Sequence, residues 1–278
     1  MIGKLFVVGT PIGNLGDMSP RAIETLRNCD FIAAEDTRVT IKLLNHFSIK
    51  KPMISYFEHN KRERGNIICK RIENGETCVL VSDAGMPAIS DPGEELVKQC
   101  YELGLEVTVI PGPSALIAAL AISGLAAGRF TFEGFLSVNK KSRIEHLQEI
   151  RNETRTLIFY EAPHKFLNTL KDMYEYLGDR NISIVREITK IHEEVIRTTI
   201  SNAICKYSED KIKGEIVLIV EGKPKLELCE KDFIIDDVVK LCKPMLEQGI
   251  AISEIAKKIS KTTGIKKGQV YKKLLEIK

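Results

Sequence analysis

The sequence predicts two successive α/β domains followed by a small helical region, and three observations carry that reading. From Lys4 to Ile122, apolar runs of strand length alternate with helical stretches, as βαβ units do. Three of these runs end in turns punctuated by glycine and proline: Val7-Val8-Gly9-Thr10-Pro11-Ile12-Gly13-Asn14, Val81-Ser82-Asp83-Ala84-Gly85-Met86-Pro87 and Val109-Ile110-Pro111-Gly112-Pro113-Ser114-Ala115. Past Gly124–Gly128 the strands continue with less regular helices between them, and after Gly222-Lys223-Pro224 the chain turns charged and helical.

In the first part, strand Lys4–Val8 precedes helix Pro20–Arg27, and Phe31–Ala34 precedes Thr37–His46. Ile54–Tyr56 comes before Asn60–Glu73, Thr77–Val81 before Glu94–Leu103, and Val107–Ile110 before Ser114–Ile122. Strands separated by helices imply a mainly parallel sheet. Ser19-Pro20 sets a cap and a first-turn proline, and Asp36-Thr37 can cap the next helix. Strands Phe130–Phe135, Leu157–Tyr160, Ile182–Arg186, Val195–Ile200 and Glu215–Val220 then form a second, mixed sheet. Helices are expected at Phe233–Glu247, Ile252–Ser260 and Lys267–Ile277, with a turn at Thr262-Thr263-Gly264 that gives helix–turn–helix spacing. The ranges assigned are 1–117, 118–228 and 229–278.

The chain has 278 residues, 44% hydrophobic and 28% charged, enough for one large or two medium domains. Seven cysteines without a C-x-x-C pair argue against a disulfide framework or a zinc site and fit a reducing cytosol. The start is already a strand rather than a signal peptide, and no apolar run reaches the roughly 20 residues of a membrane span. A cytoplasmic protein is therefore expected. Net charge is only +3, but residues 231–278 hold 11 Lys and Arg against 6 Asp and Glu. A basic tail on a near-neutral body suggests an anionic partner, nucleic acid first. Charge alone reads equally well as a solvated lysine surface, and the helices equally as a packing or dimerisation element.

Ligands of open α/β sheets bind beyond the carboxyl ends of the strands. Three glycine–proline turns at successive strand ends therefore suggest a small-molecule site built largely from main chain. The first turn is neither G-x-G-x-x-G nor a Walker loop, which excludes a Rossmann dinucleotide site and a P-loop. An adenosine bearing a small charged arm suits it better. Asp36 reads as a plain N-cap or as a site residue, while Glu35 and Arg38 are candidates for the cleft. Asp83 follows a buried strand, where its carboxylate can accept from a ribose hydroxyl or an amine. Asp91-Pro92-Gly93 reads as a helix-start turn. Polar groups also follow strands at Phe159–Lys165 and Arg186–Glu194, as acid–base groups, phosphate anchors or surface ion pairs. His192, followed by two glutamates, reads as the last of these.

These motifs, in order, resemble the small-subunit ribosomal RNA methyltransferase I family, the 16S rRNA cytidine 2′-O-ribose methyltransferases of the tetrapyrrole-methylase (class III) superfamily. The resemblance is carried by Gly9–Asp17, Ala34–Arg38, Ser82–Gly93, Pro111–Ala115, Phe132-Glu133-Gly134-Phe135-Leu136, Tyr160–Lys165, Arg186–Lys190 and Lys213-Gly214-Glu215. It runs the length of the chain. The chain departs from the family's usual residues at Met86, at Ala88 (usually Gly), at Ser137 (usually Pro) and at Lys165 (usually Arg). The last puts a phosphate-anchoring role for Lys165 in doubt, because ammonium and guanidinium do not hold phosphate alike.

The resemblance implies a two-lobed α/β fold of the tetrapyrrole-methylase type, with S-adenosylmethionine bound in the cleft between the lobes, and a homodimer. It implies methyl transfer to a cytidine 2′-oxygen in the decoding region of 16S rRNA. The implied cofactor contacts are Pro11, Ile12, Asp83, Ala84, Gly85, Met86, Ser114, Ala115, Tyr160, Glu161 and Ala162. Catalytic candidates are Glu161, Glu187 and Lys190. Substrate candidates are Asp36, Arg38, His164 and Arg186, with Lys257, Lys258, Lys266 and Lys267 on the tail. No metal is expected, since the methyl donor is already activated. The alternatives are a tetrapyrrole methyltransferase, which gives no reason for a basic tail, and a non-catalytic RNA-binding protein, which has no use for three cofactor turns.

Overall fold

Strand order brings the three turns together. The computed structural model describes residues 3–224, 242, 244–246, 248–263 and 266–275. The chain divides into two units, Met1–Lys223 and Pro224–Lys278. The first unit begins with β1 (Lys4–Val8), α1 (Pro20–Asn28), β2 (Phe31–Ala34), α2 (Thr37–His46) and β3 (Met53–Ser55). It continues with α3 (Lys61–Glu73), β4 (Cys78–Val81), α4 (Gly93–Glu102) and β5 (Glu106–Ile110). These strands form an all-parallel sheet in the order β3-β2-β4-β1-β5. Every residue of β2 and β4 is buried, as expected where helices cover both faces of a parallel sheet. Because β4, β1 and β5 are neighbours running the same way, the turns that follow them emerge side by side.

Two contacts lock those turns together. Thr10 N donates to Gly85 O at 2.9 Å and Gly85 N to Thr10 O at 3.0 Å, a short antiparallel bridge between the first and second turns. Gly9 and Gly112 meet backbone to backbone, joining the first turn to the third. A Cβ on Gly112 would lie 2.7 Å from the Gly9 Cα, closer than nonbonded atoms approach.

The anticipated caps form as drawn. The Ser19 hydroxyl accepts from Ala22 N at 3.1 Å ahead of Pro20, and the Asp36 carboxylate accepts from Arg38 N at 2.8 Å.

The second lobe holds α5 (Ala115–Ser123), β6 (Phe130–Phe135), α6 (Lys140–Glu149), β7 (Thr156–Glu161) and α7 (Phe166–Leu177). It ends with β8 (Asn181–Arg186), β9 (Glu194–Thr199), α8 (Ile200–Glu209) and β10 (Ile216–Val220). The sheet is mixed, in the order β6-β7-β10-β8-β9, with β6 parallel to β7 and the remaining pairs antiparallel. Alternation splits its central strand cleanly. Ile216, Leu218 and Val220 face α6, α7 and α8, while Val217 and Ile219 face α5. Helix α5 straddles position 117 and packs Leu116, Ala119 and Leu120 on this second sheet, so the second lobe begins just after the third turn.

The second unit carries two described helices, Ile252–Thr263 and Lys267–Leu275, around a core of Cys242, Ile255, Ala256, Ile259, Val270 and Leu274. The helix before the anticipated turn runs further than read. Thr262 and Thr263 finish the first of these helices, and Gly264 lies outside the described residues. The helix expected at Phe233–Glu247 also falls largely outside them. Among the described residues, no helix is long and apolar enough to cross a membrane.

Ala88 adopts φ +66°, a left-handed conformation that an L side chain resists by about 1–2 kcal/mol. Ala88→Gly should therefore raise the urea midpoint by a net equivalent of about 0.5–1 kcal/mol, after allowing for the entropy of the added glycine. Gly112→Ala should lower it by about 1–3 kcal/mol, because Gly9 must move to admit the methyl group.

Candidate active site

The three turns form one wall of a cleft of about 530 Å³ within the first unit. On this side stand Ile12, Glu35, Ser82 to Met86, Ile89 to Asp91, Ser114 and Ala115. Opposite are Phe135, Tyr160 to Pro163, Ile188 and Gly214 to Val217. Antiparallel pairing explains the second group: Ile216 stands opposite Glu161 and Val217 opposite Tyr160, so the start of β10 meets the end of β7. At the centre of the first wall, Gly85 has φ +82°, a left-handed backbone that its bridge to Thr10 holds in place.

Ten of the eleven predicted cofactor residues line this cleft: Ile12, Asp83, Ala84, Gly85, Met86, Ser114, Ala115, Tyr160, Glu161 and Ala162. Pro11 does not; it is half-buried in the turn and shapes it. Of the catalytic candidates, only Glu161 lines the cleft. Glu187 and Lys190 sit just outside, flanking the lining residue Ile188. Lys190 Nζ lies 2.9 Å from Glu187 Oε1 and 3.0 Å from Glu215 Oε2. Burial works against the Lys190 ammonium, but the two carboxylates outweigh it and hold its pKa above the ordinary value. The Glu187 pKa is lowered by the backbone N–H of Glu215 and by Lys190. These two residues thus share an ion cluster with Glu215, with Lys190 charged and Glu187 a weakened base.

The substrate candidates lie apart from the lining. Asp36 and Arg38 occupy each other: Arg38 Nη2 donates to Asp36 Oδ2 at 2.6 Å, and the Asp36 carboxyl is held down to about 2. His164 is exposed. Arg186 is engaged with Glu194 at 2.9 Å and with the Lys213 carbonyl at 3.2 Å. Lys257, Lys258, Lys266 and Lys267 are exposed on the second unit.

Glu161 is the most unusual group in the cleft. Its side chain is 1% exposed; Oε1 takes the Ala162 N–H at 2.7 Å and lies 3.2 Å from Lys165 Nζ. Oε2 is buried without a hydrogen-bond partner. Lys165, where the resemblance left a phosphate anchor in doubt, instead holds Glu161 and donates to the Leu136 carbonyl at 2.8 Å.

On the opposite wall, three carboxylates stand close. Asp83 Oδ1 accepts from Asp36 N at 3.0 Å, and Asp91 accepts from Ala88 N and Gly93 N at 3.0 and 2.8 Å. Asp91 is therefore more than a helix-start residue, since it also holds the strained Ala88 turn. Burial, followed by the charge of Asp83, raises the pKa of Glu35, and burial raises that of Asp91. The lining role of Asp91 was not evident from its turn sequence, and that of Gly214 to Val217 depends on sheet register. Among the described residues, no group of three His, Cys, Asp or Glu side chains is placed to hold a metal.

A parallel α/β lobe and a mixed α/β lobe meeting at a cleft walled by main-chain turns define the tetrapyrrole methylase class, and the profile of the Tetrapyrrole (Corrin/Porphyrin) Methylases matches residues 4–204. A ribosomal RNA small subunit methyltransferase I from Synechocystis is 45% identical over 99% of this chain and 99% of its own. The protein of the same name from Thermotoga maritima is 47% identical over 80% of this chain and 100% of its own. The chain belongs to this family of tetrapyrrole methylases, the ribosomal RNA small subunit methyltransferase I proteins. A uroporphyrin-III C-methyltransferase from Thermus thermophilus, solved with S-adenosylhomocysteine, shares the fold at a TM-score of 0.56. It is 17% identical and covers 79% of this chain and 97% of its own.

Because its pKa is raised, Glu35 binds its proton more tightly in the folded chain than in the unfolded one. That contribution is present below the ordinary glutamate range and is lost as pH rises through the folded pKa. Glu35→Gln, which cannot ionise, should therefore raise the ligand-free melting temperature at pH 8 and change it little at pH 4.5. Thermal melts at the two pH values read the difference directly.

Proposed function

We propose that this chain transfers a methyl group from S-adenosylmethionine to the ribose 2′-oxygen of a cytidine in the decoding region of 16S rRNA. The observation that carries the reading is near-full-length identity to proteins named for methylation of small-subunit ribosomal RNA, in a chain whose three main-chain turns meet at one cleft.

The residues present fit the cofactor. Glu35, Asp83 and Asp91 make one wall acidic, which suits a ligand with positive sulfonium and ammonium groups and donating ribose hydroxyls. Ile12, Met86, Ala115 and Val217 give an apolar surface for an adenine ring. Ile12, Asp83 to Met86, Ser114, Ala115 and Tyr160 to Ala162 would hold the molecule, with Pro11 fixing the first turn. When bound, S-adenosylmethionine supplies a methyl group already activated on a sulfonium.

The chain must then orient a ribose hydroxyl and remove its proton. Orientation in the cleft supplies most of the acceleration. Of the three catalytic candidates, Glu161 is the one that lines the cleft. Its Oε2 is a buried acceptor without a partner, so it takes the proton once substrate entry uncovers that oxygen. The Glu187–Lys190–Glu215 cluster serves as a fixed charge beside it.

A homodimer is part of the proposal. Helix α5 (Ala-Leu-Ile-Ala-Ala-Leu-Ala-Ile-Ser) is apolar on all sides, yet Ile117 is 51% exposed. A helix with that composition is ordinarily covered all round. The exposed tail lysines suit RNA phosphates, whose contacts make affinity fall steeply with salt.

Incorporation of labelled methyl groups into small ribosomal subunits, resistant to alkaline hydrolysis at one cytidine, tests the reading. Incorporation into a porphyrinoid but not into small subunits would reverse it. Gly85→Val, which forces a β-branched side chain to φ +82° beside Ile12, should abolish S-adenosylmethionine binding in calorimetry and lower the urea midpoint while the protein still folds. Glu161→Gln should lower kcat by about 10²–10⁴-fold with little change in cofactor affinity. A chain ending near Lys231 should sediment as a dimer and keep cofactor affinity, but bind small subunits more weakly and with a flatter salt slope. An unchanged slope would make the tail a structural element.

A further inference from the structure

The segment Phe132-Glu133-Gly134-Phe135-Leu136 has no part in the chemistry above, although its last aromatic residue lines the cleft. In a regular strand, Phe132 and Phe135 would point to opposite faces. Here they do not. Phe132 stands opposite Ile158, Gly134 opposite Phe159 and Phe135 opposite Tyr160, so the register slips by one residue at Glu133. Ile158 and Tyr160 share a face of β7, the one that packs with Leu116 and Val217. The bulge, with Gly134 at φ +63°, thus brings Phe135 round to the same side as Phe132.

The result is a row of rings. Phe132 lies 5.0 Å from Tyr160, and Tyr160 lies 5.5 Å from Phe135. Lys165 Nζ sits 5.5 Å from the Phe135 centroid, with its charge balanced by Glu161. Phe132 and Tyr160 are half-buried, whereas Phe135 is 58% exposed at the end of the row. It is an aromatic surface braced by its neighbours and open to the cleft that holds Glu161.

We propose that Phe135 is the shelf on which the base of the acceptor nucleotide stacks; this rests on the RNA-methylating reading given above. Enzymes that act on single-stranded or looped RNA take up splayed bases on aromatic rings, and a ring accepts the face of a base without reading its edge. A base held on Phe135 carries its own ribose into the cleft beside Glu161. The other occupant, the adenine of the cofactor, gives a different result in the experiment below.

The experiment uses the full-length chain, with purified small ribosomal subunits as substrate. Phe135→Ala should raise KM for the subunit by about tenfold to a hundredfold, while affinity for S-adenosylmethionine stays within about twofold. Phe135→Trp and Phe135→Tyr should restore KM, and Phe135→Leu should not. An unchanged KM in Phe135→Ala would overturn the proposal, as would full rescue by leucine, which would mean that any apolar side chain serves. A parallel loss of cofactor affinity would overturn it in favour of the adenine. Absence of 2′-O-methylation by the unaltered chain would sink the functional reading first, and the shelf with it.

Discussion

Everything at the site depends on the contact between Gly9 and Gly112, where two strand-end turns touch with no side chain between them. Strand order makes the neighbours, but only this approach and the Thr10–Gly85 bridge turn three separate connections into one surface. With the turns pinned to each other, Gly85 holds its left-handed backbone, with its N–H and carbonyl both paired to Thr10. The acidic residues then take their places around a fixed frame. Asp83 is tied to the backbone of Asp36, and Asp91 to those of Ala88 and Gly93.

Most of the first lobe was legible in the sequence because its strands are short, mostly apolar and separated by well-marked helix starts. Ser19-Pro20 and Asp36 cap where expected, and the strand ends fall within a residue or so of their reading. The mixed character of the second sheet was legible too, but its pairing was not. That Ile216 stands opposite Glu161 follows from antiparallel partners far apart in the chain, and no local pattern encodes it. The tail turn was misjudged because Thr262-Thr263-Gly264 has the composition of a turn, while the helix before it gains enough from burying Ile255, Ala256 and Ile259 to run on through the threonines.

The site divides in the same way. Residues on the turns, such as Ala84 and Gly85, announce themselves by glycine and proline, and the structure places them in the cleft lining. Side chains that act through position were harder to place. Glu187 and Lys190 have the residue types of acid–base groups, but each is spent on the other and on Glu215. Asp36 and Arg38 likewise answer one another. Glu161 differs because one of its oxygens has no partner, which depends on how β7, β10 and Lys165 enclose it and cannot be read from Tyr-Glu-Ala-Pro.

The two walls of the cleft are made of different material, and that bears on how such a protein can change over time. The first wall is carried on turns locked by backbone contacts, which remain when side chains are exchanged, so long as glycine persists where backbones touch. The second wall is side chains, each open to replacement: Phe135, Tyr160, Glu161, Ile188. Drift can therefore remodel what the second lobe receives without disturbing what the first lobe grips. One half of the pocket would then persist as geometry while the other is rewritten as chemistry.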